Sequence, residues 1–219
     1  TDGYVNTGTI EAQGNINLDS TFDGGTALLN ITGTANQTLT GGGSATAGYC
    51  TNLNINKTLG TLTLASTIRT NRNWTWTAGT VDATTYDSTV VFAGSLTLDG
   101  QGTSSTMTFD NIAISGGTTT LGGNLDVDGN LTISGSAGLN TGSNFNLNVA
   151  GNWTVTSTSS TAFVSNNSIV TLDGSTVVTM NTGGTGTGYD FQYLVINKTG
   201  TGSVTLATNA LDIDGDFTI

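Results

Sequence analysis

Residues 124–133 read NLDVDGNLTI: two runs in which apolar and polar residues alternate, with Leu125 and Leu131 six residues apart across an Asp-Gly pair. Alternation with a period of two marks a strand with one buried and one solvated face, and neither run reaches the length a helix needs. The same spacing recurs from Ile68 to Trp74 in TIRTNRNWTWT and from Leu211 to Phe217 in ALDIDGDFTI. Each copy follows a matching pair of candidate strands: NLNINKTLGTLTLA from Asn52, NIAISGGTTTLGG from Asn111 and YLVINKTGTGSVTLA from Tyr193. Earlier still, ALLNITG from Ala27 corresponds to TVVFAG from Thr89 and to IVTLDG from Ile169. The middle block carries an additional stretch, SGSAGLNTGSNFNLNVAGNWTV (residues 134–155). Self-similarity of this kind means one supersecondary unit stacked on copies of itself, and a stack tolerates an insertion of one extra turn because each coil touches only its neighbours.

Two all-β architectures fit. In a parallel β-solenoid, three short strands and three turns make a coil of roughly 20 to 30 residues with inward side chains stacked in ladders. In an antiparallel β-sandwich, Asp99-Gly100, Asp128-Gly129, Asp173-Gly174 and Asp214-Gly215 would be two-residue hairpin turns. The pairs recur at matching places in a repeat, and the flanking strands are only about four residues long, which suits the sides of a coil. The expectation is therefore one solenoid domain over residues 1–219, of about eight or nine coils, since no linker or composition break divides the chain.

Composition narrows the function classes. The net charge is −11 with only four basic residues, Lys57, Arg69, Arg72 and Lys198, too few for a phosphate-neutralising groove, so no nucleic-acid partner is expected. No apolar run approaches bilayer length, so no membrane insertion is expected either. Histidine is absent, which removes Ser-His and Cys-His nucleophilic arrangements and the common zinc sets. Cys50 is the only cysteine and reads as a small buried hydrophobe. No phosphate-binding glycine loop occurs, because no Gly-Lys-Ser/Thr sequence opens a helix.

The nearest approach to a functional constellation is the repeated aspartate pair. Asp126 and Asp128 lie at i and i+2, as do Asp212 and Asp214, with Asp216 beyond the glycine. Oxygen ligands at this spacing are candidates for Ca²⁺, the one cofactor the sequence suggests. The first copy has Arg69 and Asn71 there instead, so solvated outward residues are the preferred reading. Trp74 and Trp76 suggest carbohydrate stacking, with Trp153 as a third platform. The repeat aligns Trp74 and Trp76 with Leu131 and Ile133 and with Phe217 and Ile219, which predicts both indoles in the core. Eight Asn-x-Ser/Thr sequons, at Asn30, Asn36, Asn56, Asn73, Asn130, Asn152, Asn166 and Asn197, are about what so much Asn, Thr and Ser gives by chance. Hydrogen-bonded Asn and Thr ladders along the stack are the plainer role.

The phrases NLNINKT, GGNLDVDGNLTISGS and NLNVAGNWTV resemble repeats of bacterial and archaeal cell-surface proteins, the autotransporter-passenger and filamentous-adhesin β-solenoids. That resemblance implies secretion, an extracellular or cell-surface location and a structural or adhesive role. The chain ends in DGDFTI in mid-repeat, so either it is a fragment of a longer rod or its uncovered coil is an unpaired β-edge that receives the edge of the next subunit. The expectation is a non-enzymatic subunit of an extracellular filament, whose partners are identical subunits joined head to tail through β-edges or strand exchange. The alternative is an adhesin or carbohydrate-binding rod with a glycan or surface receptor. A β-helical polysaccharide-degrading enzyme is disfavoured, because Arg69 and Arg72 beside Asp82 are poor material for a catalytic cleft.

Overall fold

The structure is a computed structural model that describes residues 3–44, 48–100 and 106–219. Every strand pairing in it is parallel, and no helix occurs among the described residues. The chain winds as a parallel β-solenoid of about nine turns. This excludes the antiparallel sandwich. The Asp-Gly pairs are corners of the coil, because strand directions around a solenoid never reverse.

Each coil visits three sides in a fixed order. The first side stacks Tyr49–Cys50, Thr67–Thr70, Thr89–Ala93, Asn111–Gly116, Leu131–Ile133, Trp153–Val155, Val177–Asn181 and Ser203–Leu206. The second runs from Thr9–Ala12 through Leu28–Ile31, Leu96–Asp99, Thr118–Leu121 and Gly138–Asn140 to Phe163–Val164. The third includes Gln37–Thr40, Leu125–Val127, Leu147–Val149, Ile169–Leu172, Tyr193–Ile196 and Phe217–Thr218. Two strands are far longer than the expected four or so residues. Asn52–Ala65 and Trp74–Asp82 run continuously through the corner from the second side to the third, with register shifts where they bend.

Inward residues form vertical ladders. On the first side Ile68, Val90, Ile112, Leu131, Trp153, Met180 and Leu206 stack one above another. Ile10, Leu29, Leu53, Trp74 and Leu98 do so on the second, and Leu125, Leu147, Val170, Leu194 and Phe217 on the third. Period-two alternation sends one residue in two into this core, and a one-residue slip would turn the whole set outward.

The register corrects the alignment of the repeats. Trp74 stacks between Leu53 and Leu98 on the second side, Leu131 between Ile112 and Trp153 on the first, and Phe217 on Leu194 on the third. The three six-residue spacings are therefore three different corners of the coil, not one corner met three times. They look alike because every corner does the same thing, leaving one inward ladder and entering the next. The additional stretch at residues 134–155 supplies Gly138–Asn140, Leu147–Val149 and Trp153–Val155, one strand for each side and so one complete turn.

Two aromatic triads cross the core. Trp74, Phe92 and Phe109 come from the three different sides and meet with ring centroids 5.5 to 6.2 Å apart. Trp153, Phe163 and Phe191 form the second, at 5.0 to 5.2 Å. Trp76 departs from expectation. It is only half-buried at the bend of its strand, where its indole Nε1 donates to Gly79 O at 3.0 Å. The Nε1 groups of Trp74 and Trp153 are buried with no acceptor. Aromatic packing must therefore outweigh two orphaned donors. Trp74→Ala is predicted to cost about 3–5 kcal/mol in urea unfolding, and Trp74→Phe much less, because Phe keeps a ring in the triad and removes the orphan.

Candidate functional site

The corners carry the polar chemistry. A repeated Asn, placed at or just before the start of a strand, turns its side-chain oxygen up the stack. Asn111 Oδ1 accepts from the Asn130 N–H at 3.0 Å, Asn130 Oδ1 from the Asn152 N–H at 2.9 Å, and Asn152 Oδ1 from the Thr179 N–H at 2.7 Å. Asn124, Asn146 and the Ile169 N–H form a parallel series at a second corner. Steps up the stack vary from 19 residues, Asn111 to Asn130, to 27, Asn152 to Thr179, yet the amide still finds its partner. Backbone donors released from the ladder at a bend need another acceptor, and these amides supply it. Sequons at Asn130 and Asn152 thus coincide with structural asparagines.

Both lysines are structural, a role that sequence reasoning missed. Lys57 is 1% exposed, and its Nζ donates to Gly33 O at 2.5 Å, Ala35 O at 3.0 Å and Gln37 Oε1 at 2.5 Å, all in the preceding coil. Lys198 Nζ donates to Asp173 O one coil back and, at 2.9 Å, to Ala150 O two coils back. Burial pushes both ammonium groups below the ordinary lysine range. The signal was in view: Lys57 and Lys198 occupy the same place in the two INKT segments. Gly79 completes the Lys57 corner. Its φ is +110°, and a Cβ there would lie 2.7 Å from Lys57 Cβ. Lys57→Met is predicted to lower stability by about 2 kcal/mol in chemical denaturation, because three buried acceptors lose their donor. Lys198→Met, at a half-exposed corner, should cost less.

The arginines are likewise engaged in the fold. Arg69 lies over the Tyr49 ring, 4.5 Å from its centroid, and donates to Tyr49 Oη at 2.7 Å. Arg72 Nε donates to Gly25 O at 3.1 Å. Cys50 is fully buried, and burial pushes its thiol up to about 12, which keeps it protonated.

The candidate aspartates fall into two separate groups. Asp126 points outward from the third side, half-buried, with Asp128 exposed at the next corner. They line a shallow groove of about 390 Å³ together with Asp82, Thr80, Thr84 and Thr108. Asp212, Asp214 and Asp216 lie instead at the last coil, where the charges of Asp212 and Asp214 act on Asp190. Among the described residues no three His, Cys, Asp or Glu side chains come together as a metal-ligand set. Asp82 spends its carboxylate on the Thr84 and Thr85 N–H groups and hydroxyls. The arrangement is a column of like charges over successive coils rather than a cage.

That column has a protonation signature. Burial first, then a hydrogen bond to Asp87 and the charges of Asp87 and Asp128, pushes Asp110 up to about 6. Asp126 is also pushed up to about 6, by burial first and then by Asp128 and Asp173. Burial raises Asp173 too, although the Lys198 charge opposes the shift. A carboxyl whose folded pKa lies above its unfolded value binds more protons when folded, so it contributes stability at low pH that is lost as pH rises through about 6. The melting temperature is therefore predicted to rise between pH 7.5 and pH 5. Asp110→Asn should flatten part of that slope, by on the order of 1 kcal/mol after solvent screening.

Comparison with protein-family models, with curated proteins and with solved structures finds no match to this chain.

Proposed function

We propose that this chain is a non-enzymatic structural rod, a subunit of an extracellular filament or surface fibre in which copies join head to tail through their β-edges. One observation carries the reading. The apolar and backbone ladders run in phase through the first and last described coils, so a further coil, of this chain or of a copy, would continue the stack. At the first coil Ile10, Ile16, Leu18 and Phe22 line a hollow of about 480 Å³. At the last coil Leu206, Leu211, Phe217 and Ile219 line one of about 560 Å³. Ile10 is 40% exposed, Leu206 47%, Phe217 49% and Ile219 89%, whereas residues of the same ladders within the stack are almost completely buried.

An unpaired strand edge with an apolar floor is a template for another strand, and the two ends of one solenoid are different surfaces. Their contact is therefore heterologous and continues from copy to copy without closing. The rest of the surface supports a rod: columns of Asn and Thr, structural lysines and arginines, and turns of Gly and Asn. The Thr- and Asn-rich composition with few charges supports an extracellular place for it. For the adhesive alternative Trp76 is the one indole near the surface, and its Nε1 is already engaged by Gly79 O.

Negative-stain electron microscopy and light scattering of the 219-residue chain test the proposal. About nine turns at 4.8 Å make one copy roughly 40 Å long, so rods in multiples of that length are expected. Single particles of one length at high concentration would overturn it.

A further inference from the structure

In the middle of the stack the third side is interrupted where the other two are not. At that level Thr89–Ala93 pairs along its length with Asn111–Gly116 on the first side. On the second side Trp74–Asp82, Leu96–Asp99 and Thr118–Leu121 follow one another within one sheet. On the third side the sheet that includes Trp74–Asp82 and the sheet that begins with Leu125–Val127 are separate. One row, residues 106–110, lies between them, and it starts on the coil before it and ends on the coil after it. The Val81 N–H donates to Thr106 O at 2.8 Å and Met107 bridges Val81, whereas Phe109 bridges Val127 and donates its N–H to Asp126 O at 2.9 Å. Continued in register, Ala83 would ladder with Phe109 and Met107 with Leu125, and neither pair forms. Side chains hold the row instead. Met107 and Phe109 are almost completely buried, and the Phe109 ring packs on Trp74 and Phe92.

The broken ladder coincides with the groove lined by Thr80, Asp82, Thr84, Thr108, Asp126 and Asp128. Carboxylates face one another across it. Asp82 and Asp87 belong to the coil before the gap, and Asp110, Asp126 and Asp128 to the row and the coil after it. The charges of Asp87 and Asp128 act on Asp110, and those of Asp128 and Asp173 on Asp126. We propose that this seam is a hinge built into the solenoid: the row at residues 106–110 parts from the row at 80–84 while the first and second sides stay paired, so the stack flexes at its middle. Fewer backbone hydrogen bonds break in that opening than between rows laddered at every position. Repulsion between ionised aspartates on the two lips favours the open form, and salt, which screens partly exposed charges, favours the closed one. Phe109 in its aromatic triad keeps the row attached to the core, which limits the opening to the third side. The hinge needs no partner and does not depend on how copies of the chain meet.

Hydrogen–deuterium exchange of the 219-residue chain, read by mass spectrometry at one fixed pH near 8, tests the hinge. Segments 80–84 and 106–110 should exchange at least about tenfold faster than 89–93 and 111–116 at the same level, or than 147–149 and 170–172 further up the third side. Raising sodium chloride from about 20 mM to about 500 mM should slow the seam segments severalfold and leave the others unchanged. Asp82→Cys with Thr108→Cys places two thiols at stacked outward positions, about 4.8 Å apart along the ladder and within reach of a disulfide. Oxidation of that variant should bring seam exchange down to the rate of the laddered rows, and reduction should restore it. Circular dichroism checks that it folds. In a second variant, Asp126→Asn with Asp128→Asn, low salt should already give the slow exchange that wild type shows at high salt. Seam segments as protected as the laddered rows would overturn the proposal. First-side segments exchanging as fast as the seam would show the whole coil opening, and would overturn it as well. So would fast seam exchange that the disulfide leaves unchanged, because the amides would then be unbonded rather than opening. Seam exchange indifferent both to salt and to the two Asn substitutions would overturn the part assigned to the aspartates.

Discussion

Vertical register is the constraint on which everything else in this molecule depends. A parallel ladder joins each strand to the one above at about 4.8 Å, and it keeps inward residues inward only if every coil starts each side in the same phase. Leu125 over Leu147 over Val170 over Leu194 illustrates the result: one ladder residue contributes to the core only because its neighbours one coil away do the same. The interior is correspondingly continuous, a single apolar cluster from Leu18 to Leu194. The two aromatic triads are the places where ladders from different sides lock together across it.

Variable corners make that register difficult to keep, and polar side chains solve the problem locally. When the chain bends, backbone N–H and C=O groups leave the ladder and must find partners elsewhere. Asparagine side chains accept from the coil above, and lysine ammonium groups donate to the coil below. Both devices act between coils, so the same groups that satisfy a bend also hold its phase. The aspartate column works in the opposite sense. Asp87, Asp110 and Asp128 bring like charges together on successive coils, which leaves part of the stability dependent on protonation. Any coil added to the stack obeys the same constraint, because a ladder in phase on three sides accepts only a coil whose own three sides are in phase with it.

Much of this could be read from the chain directly. The period of two in NLDVDGNLTI and its relatives, the spacing of six residues and the extra turn at 134–155 specify strands, corners and a stack. Other features could not be assigned. INKT occurs twice, yet nothing local says that Lys57 and Lys198 reach backwards to carbonyls 22 to 48 residues earlier in the chain. Trp74 and Trp76 share one strand parity, but the bend at Gly79 leaves only the first fully enclosed. The Asp-Gly pairs carry the local chemistry of a hairpin turn, and only the direction of the next strand makes them solenoid corners.

The sequence by itself determined which residues face inward, because alternation is a property of neighbours along the chain. It also determined that the units stack, because a repeated unit with one apolar face must bury that face on another copy. Only the tertiary structure decided which side of the coil each unit occupies. Ile68 to Trp74, Leu125 to Leu131 and Leu211 to Phe217 look identical in sequence, since each simply passes from one inward ladder to the next. They are three different corners because the number of residues per coil varies, and the accumulated count sets the phase.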